Sequence, residues 1–252
     1  AKGFAAPLSA SDENVGTDRE GANREATPEG TLVSLPTQGL PTLAEVAERT
    51  RFIGRAGEIA ESMALDSSGL LSLRLDRGDV AARLETMRGF TGTLDAVVLE
   101  RRSRAGGSGE TFGGIGGAVQ RLRGNGLVVI APRPSRQLYA FTLANEIFFV
   151  REELVVAFDL ALAFENGKVL REGDEPLAIA QLRGTGSVAI ELAEPARSFE
   201  VTSAAPAAVR ATSVLGWIGR LVPRALPPGE APGAHQGLLA FSGEGRVLVA
   251  GR

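Results

Sequence analysis

The chain contains no cysteine, which removes disulfides, thiolate metal ligands, iron–sulfur ligation and a cysteine nucleophile from consideration. Histidine is nearly absent as well. His235 is the only one, in a Gly/Pro-rich stretch, with no second His or Cys to complete a ligand set, so an ordinary loop residue is expected. Lys2 and Lys168 are the only lysines among 27 basic residues, a bias that reads as composition before it reads as chemistry. No uninterrupted apolar run reaches the ~18 residues that a membrane-crossing helix requires. The opening AKGFAAPLSA lacks the apolar core of a secretory signal. The expected location is therefore cytoplasmic or peripheral to a membrane.

Catalytic signatures are also missing. No Gly-x-Ser-x-Gly elbow and no Gly-Lys-Ser/Thr appears. Gly114-Ile115-Gly116-Gly117 superficially suggests a phosphate cradle, but the strand before it is too short and strands follow where a βαβ unit needs a helix. The carboxylate pairs Asp76/Asp79 and Glu152/Glu153 fall where solvated, charged turns are expected. No cofactor or metal is called for, and an enzyme is the least favoured class. The net charge of -3 gives no global attraction to nucleic acid or anionic lipid.

What the chain has in abundance is glycine, 32 of 252 residues, together with 44% apolar side chains. Gly124-Asn125-Gly126, Gly184-Thr185-Gly186 and Gly243-Glu244-Gly245 recur about sixty residues apart. Each precedes a strand-like run (LVVIA, SVAIEL, RVLVA) and follows another (AVQRLRG, LAIAQLRG, LLAFSGEG). A β unit with one apolar face cannot stay solvated, and three such units around an axis bury that face mutually. The pattern predicts an all-β fold, with GLLAFSGEGRVLVAGR as a closing hairpin that pairs back onto the first cycle.

Along the chain, residues 1–44 carry too little apolar surface to offset ordering and are expected to form an acidic arm, flexible or partner-bound. Residues 45–64 read as a connecting segment with one or two helical turns, and residues 65–252 as the β domain. Within it, SGLLSLRLDRGDVAARLETMRGFTG reads as strand, turn and strand. Ser213 to Leu221 offers a short amphipathic helix ended by Pro223, with Trp217 and the neighbouring Arg220 either an interface anchor or core.

The stretches LSLRLDRGDVAARLETMRGFTG, RLRGNGLVVIAPRPSRQLYAFTLANEIFFVREELVVAFD, LRGTGSVAIEL and SGEGRVLVA resemble the β-rich family named for altered inheritance of mitochondria. Leu75, Gly78, Asp79, Phe90 and Gly92 look like its turn and strand positions, and Gly106 to Gly117 its glycine-rich middle segment. The resemblance covers residues 65–252 and implies a pseudo-threefold β barrel or prism, grouped by topology with the tryptophan RNA-binding attenuation protein. It also implies scaffolding, from relatives linked to inner-membrane organisation, and it carries no catalytic residues and no RNA-binding set. The prolines of 223–232 interrupt the pattern.

The strongest charge signal is Arg101, Arg102, Arg104, Arg121, Arg123, Arg133 and Arg136 against Glu100 and Glu110, a net +5 in one segment. These arginines, with Trp217 and Arg220, are the interaction candidates. The expected function is a structural or scaffolding module that self-associates or joins a larger protein complex, the acidic arm docking on a neighbour's basic face. The alternative is a binding module for an anionic ligand or membrane surface; sequence-specific nucleic-acid binding is not expected.

Overall fold

The computed structural model describes residue 43 and residues 61–103, 106–171, 175–227, 229–230 and 237–251. The expected arm, the helical turns of the connecting segment, Arg104 and His235 lie outside the described residues. By its internal contacts the chain divides into units at Ala1–Thr50 and Arg51–Arg252, and every described strand belongs to the second.

The described residues of that unit are all-β, with four single-turn 3-10 segments. The first stretch comprises β1 (Met63–Leu65), β2 (Leu71–Arg74), β3 (Val80–Arg83), β4 (Met87–Val98), β5 (Glu100–Ser103), β6 (Gly106–Thr111) and β7 (Val119–Ile130). The second comprises β8 (Gln137–Arg151), β9 (Val155–Asp159), β10 (Ala163–Val169) and β11 (Leu177–Leu192). The third comprises β12 (Ala196–Val201), β13 (Ala207–Arg210), β14 (Val214–Leu226) and β15 (Leu238–Ala250). Thirteen strands share one antiparallel sheet, along the path β1-β2-β7-β3-β9-β11-β8-β14-β15-β12, while β5 and β6 pair separately. The first strand starts two residues before the expected boundary at 65, because Met63 pairs with Leu73.

Each glycine triplet sits inside a continuous strand. β7, β11 and β15 run straight through it, held on one side along most of their length by β4, β8 and β14 respectively. The neighbour on the other side changes at the triplet. β7 passes from β3 to β2, β11 from β10 to β9, and β15 from β13 to β12. The closing hairpin expected at 237–252 is thus a single strand. Among the described residues β15 pairs with β12, β13 and β14 and with nothing from the first stretch.

The first and third triplets need glycine because backbone meets backbone there. A Cβ on Gly124 would lie 2.0 Å from the Thr93 carbonyl oxygen, and one on Gly126 1.9 Å from that of Thr91. In the third ladder a Cβ on Gly245 would stand 2.1 Å from the Ile218 oxygen. The opposing strand bends at the same level through a left-handed residue: Gly92 (φ 80°) in β4, Asn145 (φ 62°) in β8 and Gly219 (φ 89°) in β14. Asparagine is among the few side-chain-bearing residues that adopt this conformation at modest cost. In the second ladder Asn145 is extra, since Glu146 faces Gly184 and Ala144 faces Thr185. The crossing is correspondingly looser, with nothing nearer than Leu162 at 3.6 Å to a Cβ on Gly184.

The runs after the first two triplets, LVVI and SVAIEL, are buried at every position, as strands covered on both faces must be. Apolar side chains gather in three main clusters, each centred on one stretch and borrowing from a neighbour. Leu71, Leu73, Leu122 and Ile130 take in Val156 and Ala189; Phe148, Phe158 and Phe164 take in Phe112 and Val119; Trp217, Phe241 and Val249 take in Ile179.

The helix expected over Ser213 to Leu221 is instead a 3-10 turn (Ala211–Ser213) followed by β14. Burial of Val214, Gly216, Trp217 and Leu221 answers to sheet packing, and the strand pairs with β15 as far as Leu226. Pro223 stays within that strand opposite Phe241. It is tolerated because β8 pairs only with Gly216 to Ile218, so no second ladder asks Pro223 for an N–H. No helix among the described residues is long and apolar enough to cross a membrane.

Gly126→Ala is expected to lower unfolding stability by about 3 kcal/mol, through the clash with the Thr91 carbonyl and the left-handed backbone. Gly167→Ala in β10, where a Cβ meets nothing within 4 Å, should change it by less than about 0.5 kcal/mol. Urea unfolding of the two variants checks the contrast.

Candidate functional site: divided arginines, a cleft and a free strand edge

The arginine-rich segment does not form one basic face. Its described members separate into groups, most of them neutralised by a carboxylate from a distant part of the chain. Arg121 and Arg123 project from β7 onto Asp79, which precedes β3; Arg121 Nε donates to Asp79 Oδ2 at 2.7 Å and Arg123 Nη2 to the same oxygen at 3.0 Å. These two guanidinium groups, Arg123 foremost, hold the Asp79 carboxyl below the usual carboxylate range. Arg133 and Arg136, in the turn between β7 and β8, address Glu191 of β11, which is 2% exposed. The Arg133 backbone N–H donates to Glu191 Oε1 at 2.6 Å, its Nε pairs with Oε2, and Arg136 Nε stands 3.9 Å from Oε2.

Arg101 of β5 turns inward to Glu152, with Nη2 at 3.0 Å from Oε1, and also meets Glu110 at 3.2 Å. Glu152 itself corrects the expectation of a solvated turn. It opens the 3-10 segment Glu152–Leu154 yet is 1% exposed, enclosed as β8 turns into β9. Burial pushes its carboxyl up, against the lowering effect of Asn166, whose Nδ2 donates to Oε1 at 2.8 Å, and of Arg101. Glu152 Oε2 lacks a hydrogen-bond partner among the described residues.

Arg83, at the end of β3, was not among the candidates read from sequence. It donates to the backbone carbonyls of Gly113 at 2.9 Å, Gly117 at 2.6 Å and Glu152 at 2.6 Å, and also to that of Val155. Burial pushes its guanidinium down to about 10. The glycines that superficially suggested a phosphate cradle make room for this side chain, for a Cβ on Gly116 would fall 2.2 Å from Arg83 Nη1. Arg83 thereby ties the first stretch to the second.

Trp217 is 2% exposed, stacked on Phe149 at 4.9 Å and edge-on to Phe241 at 5.6 Å. It belongs to the core, and its partner in the expected pairing, Arg220, is separately exposed on β14. Arg220 lines a shallow hollow of about 440 Å³ with Glu146, Glu200, Glu244 and Arg246.

Arg102 differs from the rest. Its backbone N–H donates to Asn166 Oδ1 at 2.9 Å and its guanidinium lies 4.8 Å over the Phe164 ring. It faces a cleft of about 650 Å³ shared by Arg77, Gly78, Asp79, Arg121, Asp159 and Leu160. Arg77 was not singled out from sequence, because a charged residue in an Asp-Arg-Gly-Asp turn looks like any solvated turn. Among the described residues, no group of three or more His, Asp or Glu is placed to hold a metal ion.

A second exposed feature is β4. Its one partner among the described strands is β7. Phe90, Val97 and Val98 are each about half exposed on it.

No protein-family model matches the chain, and no curated protein matches it. It is similar to the crystal structure of a Streptococcus pyogenes protein determined as a structural-genomics target. That similarity spans 75% of this chain and 93% of the other, with a TM-score of 0.56 and 15% sequence identity. Together they define a shared β-rich fold, and at that identity nothing further.

The Asp79 carboxylate, held charged by its two arginines, contributes stability above the ordinary carboxylate pKa of about 3.9. That contribution is lost as pH falls through its lower folded value. Asp79→Asn should therefore lower the urea midpoint at pH 7 and approach the unsubstituted protein below about pH 4. A gap between the two that stays constant across that range would contradict the ion-pair account.

Proposed function

We propose that the protein is a non-catalytic assembly module, a pseudo-threefold β unit whose copies join along β4. The observation that carries this reading is the edge of that strand that no described strand covers. The comparable strands of the other two ladders, β8 and β14, pair with each other as well as with β11 and β15. Among the described strands β4 has β7 alone, and it runs for twelve residues, a length of about 40 Å. A long edge bearing half-exposed apolar side chains and without a protective proline or lysine is the kind that recruits another strand.

A second copy is the occupant the sequence of this edge favours. In an antiparallel pairing of β4 with itself centred on Leu94, Phe90 of one copy lies opposite Val98 of the other; the same register continued past Leu99 to the start of β5 sets Arg88 opposite Glu100. Phe90 and Val98 are among the apolar side chains the edge exposes. Arg88 and Glu100 are both exposed and make no ion pair among the described residues. Such a pairing is self-complementary, as a twofold interface must be. The threefold part of the reading is supported by three ladders that each switch a neighbour at a Gly-x-Gly, and by the resemblance of residues 65–252 to the scaffold-associated β family.

Native mass of the full chain at micromolar concentration should be twice the chain mass. Val97→Lys should shift it towards monomer by placing a charge on the paired edge. Arg88→Glu and Glu100→Arg should each weaken the dimer, and together restore it. A monomer at every concentration in the unsubstituted protein would overturn the proposal.

A further inference from the structure

We propose that the cleft beside Asp79 binds a phosphate monoester, held chiefly by Arg77 and Arg102. Three elements build it. The turn Leu75–Arg77 with Gly78 and Asp79 forms one wall, β5 brings Arg102, and the β9–β10 turn supplies Asp159, Leu160 and Ala161. Leu99 lines it as well, and Ser62 and Arg121 complete it.

The charges in this cleft do not balance. Arg121 and Arg123 share the single carboxylate of Asp79. Asp159 spends one oxygen on the Ser187 backbone N–H, at 2.6 Å. Among the described residues Arg77 and Arg102 have no carboxylate within ion-pair distance, and the nearby Asp76 is engaged by Arg74. Of the residues that line the cleft, three arginines (Arg77, Arg102 and Arg121) stand against Asp79 and Asp159, which leaves the cleft net positive. Arg77 and Arg102 are both exposed, line the same cleft and have no counter-ion among the described residues, so one anion in the cleft can pair with both.

Geometry narrows the ligand class. A guanidinium fork pairs with two oxygens of a phosphate at once, which a spherical anion cannot match. Arg102 is already oriented by its seat over Phe164, so little rotamer freedom remains to be lost on binding. Gly78, with φ 141° and nothing within 4 Å of where a Cβ would stand, leaves its backbone open to the ligand. A volume of about 650 Å³ is larger than a bare phosphate needs. Leu99, Leu160 and Ala161 offer an apolar wall to an organic substituent. The same headgroup chemistry occurs on soluble esters and on phosphatidic acid, and the test separates these sources.

Titration calorimetry at low salt would use three probes on the full chain: inorganic phosphate, phenyl phosphate, and phosphatidylcholine vesicles with and without phosphatidic acid. Saturable binding of phenyl phosphate, tighter than inorganic phosphate by at least tenfold, is expected if the site takes a soluble ester. Binding confined to the phosphatidic acid vesicles assigns the site to a lipid headgroup. In either case Arg77→Ala and Arg102→Ala should each weaken binding by tenfold or more, and Arg220→Ala in the separate hollow should leave it unchanged. Arg77 is exposed on a surface turn, so its variant remains informative if Arg102→Ala disturbs Phe164. Absence of saturable binding to all three probes, or binding indifferent to both cleft variants, would overturn the proposal.

Discussion

The fold rests on the close approach of one backbone to another where β7 and β15 cross their partner strands. At the β7 and β15 crossings a carbonyl oxygen occupies the space in which a side chain would begin, most tightly at Gly126 against Thr91 and at Gly245 against Ile218. Because the strand continues through the crossing, a single strand serves two different neighbours, β3 and β2 in the first case. That is how one chain stitches three apolar clusters into a continuous sheet. Arg83 reinforces the arrangement from inside, binding carbonyls of the glycine-rich segment and of the β8–β9 turn together.

The distribution of charge follows from the same construction. Strand crossings bring together residues far apart in sequence, so Asp79 meets Arg121 and Arg123 across more than forty positions, and Arg133 meets Glu191 across fifty-eight. Arg121, Arg123 and Arg133 are thereby neutralised. Two features then stand open among the described residues: the outer edge of β4 and the cleft where Arg77 and Arg102 have no carboxylate within ion-pair distance. The first asks for a strand and the second for an anion. They draw on different chemistry and can be separated by substitution.

Much of this could be read in the sequence, and the rest could not for definite reasons. Alternating and fully apolar runs announced the strands, and the sixty-residue glycine period announced a repeated ladder. Whether a Gly-x-Gly turns the chain or carries it straight on depends on what crosses it, which local sequence does not contain. The run GLLAFSGEGRVLVAGR therefore read as a hairpin and is one strand. Asn145 escaped notice as the third member of a series otherwise made of Gly92 and Gly219, although its tolerance of left-handed backbone was the available signal. Trp217 beside small and apolar residues satisfied a helical spacing by coincidence, and only its stacking on Phe149 decides for the core. The arginine cluster looked continuous because its counter-ions are remote in the chain.

Amide hydrogen exchange along β4, followed as a function of protein concentration, tests the proposal of edge-to-edge assembly most directly. The outward-facing amides between Gly89 and Val98 are predicted to exchange slowly in concentrated protein and faster on dilution, while those bonded to β7 stay protected throughout. Exchange along both edges of β4 that is independent of concentration would contradict it.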